Sequence, residues 1–232
     1  MNAYQQNISQ LKVIAQALGP LLDEVTFLGG CTTALLVDKS AYFGVRQTDD
    51  VDVIVDVATY LEYQEFSQRL RDLGFVEDQD GPMCRWLWNA GSQSIKLDVM
   101  PINEEVLGFS NKWYPLAIEN AKRVALGDGV EIDVVAPAYF LATKFEAFLH
   151  RGNGDFFSHD LEDIIFVIEN RQDAVLELLN SAQDVRVYLA AKASDLMSNA
   201  DFLNILPGIL NNSQSAELVE NTLRTIANSS AG

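Results

Sequence analysis

The sequence predicts an α+β chain, with a mixed sheet and flanking helices over residues 1–136 followed by a helical bundle over residues 137–232. Three patterns carry this reading. Short runs up to Val135 alternate apolar and polar residues, the period of half-buried strands. Glycine and proline pairs separate those runs. From Ala136 onward the apolar period changes to near 3.6, that of amphipathic helices.

Taken in order, Ile8, Leu11, Ile14, Ala15 and Leu18 have helical spacing, and Gly19-Pro20 closes the helix. Val25 to Leu28 reads as a short strand running into Gly29-Gly30, and Thr32 or Thr33 is suited to cap a helix through about Asp38. Asp50 to Val57 is a strand, and Thr59 to Leu73 an amphipathic helix ended by Gly74. Cys84 to Asn89 and Ser94 to Met100 form an antiparallel pair across Ala90-Gly91, with Pro101 ending the second strand. Lys122 to Leu126 and Val130 to Val135 form a hairpin around Gly127-Asp128-Gly129. Pro137 opens a helix to about Leu149. Helical spacing recurs over 159–170, 173–179, 185–197, 201–210 and 217–226, and residues 228–232 read as a frayed end.

The most informative segment is Arg46-Gln-Thr48-Asp-Asp50-Val-Asp52-Val-Ile-Val. On a strand Val51, Val53 and Val55 share one face, while Arg46, Thr48, Asp50 and Asp52 share the other. The valine face buries in a sheet and leaves two carboxylates about 7 Å apart by Cα. That spacing mounts divalent cations held roughly 3.5–4 Å apart. The Gly29-Gly30 turn lets backbone N–H groups come close to a phosphate chain. Asp98, in Ile95-Lys-Leu-Asp98-Val-Met, adds a third acid on a neighbouring strand, and such oxygen ligands suit two magnesium ions. In its ionised form Asp98 is also the natural general base for an acceptor hydroxyl. Asp133 is its rival, with a structural or surface role favoured there.

Lys144 lies inside the apolar run Tyr139-Phe-Leu-Ala-Thr-Lys144-Phe-Glu-Ala-Phe-Leu, where an ammonium is costly unless it reaches water or an anion. Lys144 and Arg151, seven residues apart, share a helical face and are placed to line a triphosphate. Asp160 and Asp163 lie three apart on one helical face, as on many solvated helices. His150 and His159 lack partners at zinc-ligand spacing. Trp86 and Trp88 share a strand face and read as packing residues, with base stacking as the alternative.

Gly29-Gly30 followed by Arg46-x-Thr48-x-Asp50-x-Asp52 resembles the signature of the DNA polymerase β-like nucleotidyltransferases. Lys144 within its helix and the later Arg151-Gly-Asn-Gly-Asp-Phe-Phe-Ser-His-Asp160-Leu-Glu-Asp163 resemble the AbiEii branch, which includes the MenT-like toxins. The resemblance spans roughly residues 27–170 with a gap in the middle. It departs in two places. The Gly30-to-Asp50 separation is longer than in compact members, implying extra loop around Tyr42-Phe43-Gly44. Asn153, Gly154 and His159 stand where the last motif usually carries basic residues.

By this resemblance the front half is a nucleotidyltransferase domain and the helical half completes the nucleotide and acceptor cleft. It implies that Gly29 and Gly30 contact the triphosphate, with Thr32 or Thr33 donating a hydroxyl and Arg46 and Arg151 assisting. Asp50, Asp52 and Asp98 would hold magnesium, and Lys144 would stabilise the nucleotide phosphates. Asp160 or Asp163 would act near the nucleobase or as a base on the acceptor. The implied reaction is magnesium-dependent transfer of a nucleoside monophosphate from an NTP to tRNA or protein, in a toxin paired with an antitoxin. Two alternatives remain: transfer to a small polycation of the aminoglycoside type, and a catalytically silent binding module.

Composition narrows the partners. The net charge of −17 counts against a broad DNA-binding face and suits a polycationic acceptor or partner. Nearly half the residues are apolar, as in a globular chain. Cys31 and Cys84 are too few for a disulfide framework and read as reduced thiols. The first residues lack a basic start followed by an apolar stretch, and no apolar run reaches the roughly 18 residues that span a bilayer. The expected location is cytoplasmic, with no membrane association.

Overall fold

Alternating valines make residues 50–55 the centre of a seven-stranded sheet in the computed structural model, which describes residues 2–91, 93–210 and 212–231. The chain divides into two compact units, Met1–Leu35 with Ala41–Ala136, and Leu36–Ser40 with Pro137–Gly232.

The first unit opens with α1 (Ala3–Leu18), which starts a turn earlier than the apolar spacing predicts because Asn2 and Gln5 form a reciprocal capping box. Next come β1 (Val25–Leu28), α2 (Thr33–Leu36), β2 (Asp50–Val55), α3 (Tyr60–Asp72), β3 (Val76–Glu77), β4 (Arg85–Ala90) and β5 (Gln93–Pro101). Then α4 (Glu104–Leu107) and α5 (Tyr114–Glu119) precede the hairpin of β6 (Lys122–Gly127) and β7 (Val130–Val134). The short elements β3, α4 and α5 have no periodic signal in the sequence. The expected helix through Asp38 ends at Leu36, and Lys39–Gly44 form a 3-10 turn where extra loop was expected.

The sheet order is β3-β4-β5-β2-β1-β7-β6. β2 runs antiparallel to β1 and parallel to β5, so the sheet is mixed. Val51, Val53 and Val55 are buried on one face of β2, as the alternation predicts. Leu11, Ile14, Ala15 and Leu18 of α1 bury among the core residues, and the helix contacts β2, β4, β5 and β7. Each fully buried Leu or Ile side chain of this set contributes about 1.5–3 kcal/mol.

The second unit is helical: α6 (Pro137–His150), α7 (His159–Asn170), α8 (Ala174–Leu179), α9 (Gln183–Met197), α10 (Ala200–Leu210) and α11 (Ser213–Ala227). α6 is buried on nearly every side from Ala138 to Phe145, which fits its apolar sequence. α9 packs against α6 and α11. Phe148, Phe156 and Phe202 meet ring to ring between α6, the following loop and α10. Residues 36–40 join this unit through the Asp38 N–H, which donates to the Asn170 carbonyl at 2.9 Å, and the Leu36 carbonyl, which accepts from Arg171 at 2.7 Å. Asn228–Ala231 form a 3-10 turn in place of the expected frayed end, whose last residue, Gly232, lies outside the described residues. No described helix is long and apolar enough to cross a membrane.

Candidate active site

Strand register decides which acids of the first unit can meet. Asp52 on β2 lies opposite Asp98 on the parallel neighbour β5, and Asp98 lies opposite Arg85 on β4. Directly paired residues share a face of the sheet, as do residues two apart on one strand, so Asp50, Asp52, Asp98 and Arg85 stand on one face.

Arg85 organises this face. Its Nε donates to Asp98 Oδ1 at 2.7 Å and its Nη2 to Asp98 Oδ2 at 2.7 Å, a planar two-point pairing. The same Nη2 also donates to Asp50 Oδ2 at 3.1 Å. The Asp98 hydrogen bonds, together with the nearby carboxylate charge, raise the Arg85 pKa above its already high ordinary value, so it is a permanent cation. The sequence reading missed Arg85. The signal available to it was the antiparallel pairing of 84–89 with 94–100, which places a cation two strands from the acidic pair.

Asp52 is positioned against the glycine turn. Gly29 has φ +78°, in the left-handed region, and a Cβ built there would lie 2.6 Å from Asp52 Cγ and closer still to Oδ2. Glycine is therefore required at 29 both for the backbone and for the Asp52 carboxylate. The sequence assigned this glycine to phosphate approach alone; the structure adds the approach of an acid.

The two threonines after the turn differ. Thr32 Oγ1 donates to the Gly29 carbonyl at 2.9 Å and so holds the turn closed. Thr33 Oγ1 is buried and has no hydrogen-bond partner among the described residues. Of the pair, Thr33 has the hydroxyl left to serve a ligand.

Asn7, on α1, is a further residue that the sequence reading passed over. It is fully buried; its Nδ2 donates to the Arg46 carbonyl at 2.9 Å, and its Oδ1 accepts from the Thr48 N–H at 3.3 Å. These bonds hold the segment that delivers Asp50, and the strand begins only at Asp50, so Arg46 and Thr48 precede it. Arg46 Nη1 reaches the Gln47 carbonyl at 3.4 Å. Cys31 donates to the Asn7 carbonyl at 3.5 Å. Cys31 and Cys84 are free, buried thiols, each pushed up to about 12 mainly by burial.

Asp50 and Asp52 present two hard carboxylates on this face, the donor type that magnesium takes. The expected three-acid centre is not assembled: both Asp98 oxygens accept from Arg85, and among the described residues no group of three or more His, Cys, Asp or Glu side chains is gathered to hold a metal ion. The physical reason is competition, because a guanidinium already matches both lone-pair directions of Asp98.

The second unit carries its own charged cluster. Lys144 Nζ lies 3.1 Å from Asp160 Oδ1 and 2.7 Å from Asp163 Oδ2, with all three residues buried. Arg151 Nη2 donates to both Asp160 oxygens at 2.9 Å from an exposed side chain. Burial alone would raise the Asp160 pKa, but the Lys144 charge and then the Arg151 hydrogen bond outweigh it, and the group lies below the ordinary carboxylate range. The sequence places Lys144 and Arg151 along a triphosphate and leaves Asp160 and Asp163 as either a solvated pair or, by the family resemblance, acids near the nucleobase or acceptor. The structure brings all four together in one cluster of this unit.

Other candidates have structural partners. Asp133 pairs with Arg123 at 3.0 Å. Trp88 packs against Phe75, and Arg71 lies over the buried Trp86 ring. His150 and His159 are exposed and face Glu146 and Glu162 on their own helical turns.

No family model and no curated protein matches the chain. Among solved structures it is similar to an antigenic nucleotidyltransferase-like protein from Paracoccidioides brasiliensis, with a TM-score of 0.50 and 20% identity over 72% of this chain and 77% of that one. At that identity the likeness is one of fold: the chain has a nucleotidyltransferase-like architecture of mixed sheet and flanking helices.

Proposed function

We propose that the protein is a magnesium-dependent nucleotidyltransferase that moves an NMP from an NTP to an acceptor and releases pyrophosphate. The observation that carries the proposal is the packing of Asp52 against Gly29 at the glycine turn, with Asp50 beside it on the same face. Carboxylates and a phosphate-tolerant turn thereby come together on a fold shared with a nucleotidyltransferase-like protein.

In this reading Asp50 and Asp52 hold the metal. A magnesium ion held there would supply charge neutralisation at the α-phosphate. The Gly29-Gly30 turn and the Thr33 hydroxyl meet the phosphate oxygens, with Arg46 adjoining, and Asn7 keeps the approach to β2 in place. Asp98 is a third acid of the same face, held by Arg85. In the helical unit Lys144 holds Asp160 and Asp163, and the exposed Arg151 adds positive charge beside them.

The acceptor follows the family resemblance: tRNA or protein, in a toxin-type role opposed by an antitoxin. The net charge of −17 supports a basic protein or polycation over the RNA backbone. Two buried free thiols support a cytoplasmic setting.

A second reading, a nucleotide-binding relative without turnover, is favoured by one observation: both oxygens of Asp98 are engaged by Arg85, which withholds the nearest candidate base. One experiment separates the two. Purified protein incubated with each α-labelled NTP and magnesium, with tRNA, basic protein or aminoglycoside, should give a labelled acceptor that Asp50→Ala abolishes. Retained nucleotide with no labelled acceptor would select the binding module.

A further inference from the structure

We infer that Arg85 is the resident second cation of the acidic face, so that the face takes one divalent ion, on Asp50 and Asp52, where three unpaired acids would take two. The inference rests on the proposed metal-binding role of that face and specifies how many ions it holds.

Arg85 is placed by the sheet and not by chance rotation of a surface chain. It lies directly opposite Asp98 in the β4–β5 register, and its own N–H donates to the Pro82 carbonyl at 2.9 Å. One residue earlier the Cys84 carbonyl accepts from the Val99 N–H at 2.8 Å, tying the start of β4 to β5 beside Asp98. The paired side chains are mostly shielded, with 18% of Arg85 and 11% of Asp98 exposed.

Three consequences follow. A guanidinium stays protonated at any working pH, so the pairing is not relieved by titration. The two-point geometry occupies both Asp98 oxygens, and an ion binding Asp98 would have to displace it. The third bond, from Nη2 to Asp50 Oδ2 at 3.1 Å, carries positive charge to the edge of the Asp50–Asp52 pair and opposes a second ion there. Lys96, opposite Asp50 on β5, adds a further cation to this face.

The test counts ions directly. Manganese is titrated into the intact protein and free Mn²⁺ is followed by electron paramagnetic resonance. This is done for wild type, Arg85→Met and Arg85→Gln, the last retaining N–H donors for Asp98 without the charge. Far-UV circular dichroism confirms that each variant is folded. Wild type should bind one Mn²⁺, and whichever Arg85 variant folds should gain a second site, or bind at least ~10-fold more tightly. Two equivalent ions in wild type, or an unchanged count and affinity in the variants, would overturn the inference while leaving the metal-binding reading intact. No Mn²⁺ bound by any of the three proteins would overturn both.

Discussion

Replacing Lys144 with methionine tests whether the cluster of the helical unit is structural as well as functional. The Lys144 side chain is 11% exposed, that of Asp160 6% and that of Asp163 4%, so removing the ammonium takes a cation from buried carboxylates. Breaking a buried ion pair from one side costs about 3–5 kcal/mol. Asp160 keeps two bonds to Arg151 at 2.9 Å, so the loss falls mainly on Asp163 and the lower end applies, about 3 kcal/mol. In a unit of about one hundred residues that corresponds to a fall in Tm of roughly 12–24 °C. Thermal and urea unfolding followed by far-UV circular dichroism at pH 7 measure it. A cost below about 1 kcal/mol, typical of exposed pairs, would refute the argument.

Further perturbations address the rest of the account. Gly29→Ala adds left-handed strain of about 1–2 kcal/mol and drives a methyl into the Asp52 carboxylate, so Tm should fall and magnesium-dependent binding of an NTP analogue should be lost; intact binding would show that Asp52 is not needed there. Asn7→Ala strips a partner from the Arg46 carbonyl and the Thr48 N–H, at about 1–3 kcal/mol, and should speed hydrogen exchange at Thr48; unchanged exchange would contradict the bracing role. The folded Asp160 pKa is depressed, so its contribution is present above the ordinary carboxylate pKa of about 3.9 and is lost as pH falls through the lower folded value. Asp160→Asn should therefore be less stable at pH 7 yet flatter in that window, and parallel stability profiles would count against this pairing.

Regular elements with strong periodicity were legible. The alternation of Val51, Val53 and Val55 and the Gly127–Gly129 turn placed β2 and the β6–β7 hairpin nearly to the residue. β1 and α7 appear with the bounds their sequences predict. What periodicity does not encode is which side chain sits across a strand. The Arg85–Asp98 pairing depends on the β4–β5 register, and a slip of one residue would have turned Arg85 to the opposite face. The Lys144 cluster depends on how α6 packs on α7, so spacing within each helix showed the charges but not that they meet. Asn7 escaped notice because it precedes the apolar spacing that begins at Ile8, and a single polar residue there looks like solvent-facing surface until the loop it braces is seen.

The central claim is that Asp50 and Asp52 bind a metal-bound NTP at the glycine turn. Isothermal titration of a non-hydrolysable NTP analogue, with and without magnesium, into wild type and folded Asp50→Asn and Asp52→Asn proteins tests it most directly. Binding that requires magnesium and drops at least ~10-fold in both variants is the predicted result, since each removes a carboxylate ligand. Equal affinity in all three proteins, or no dependence on magnesium, would contradict it.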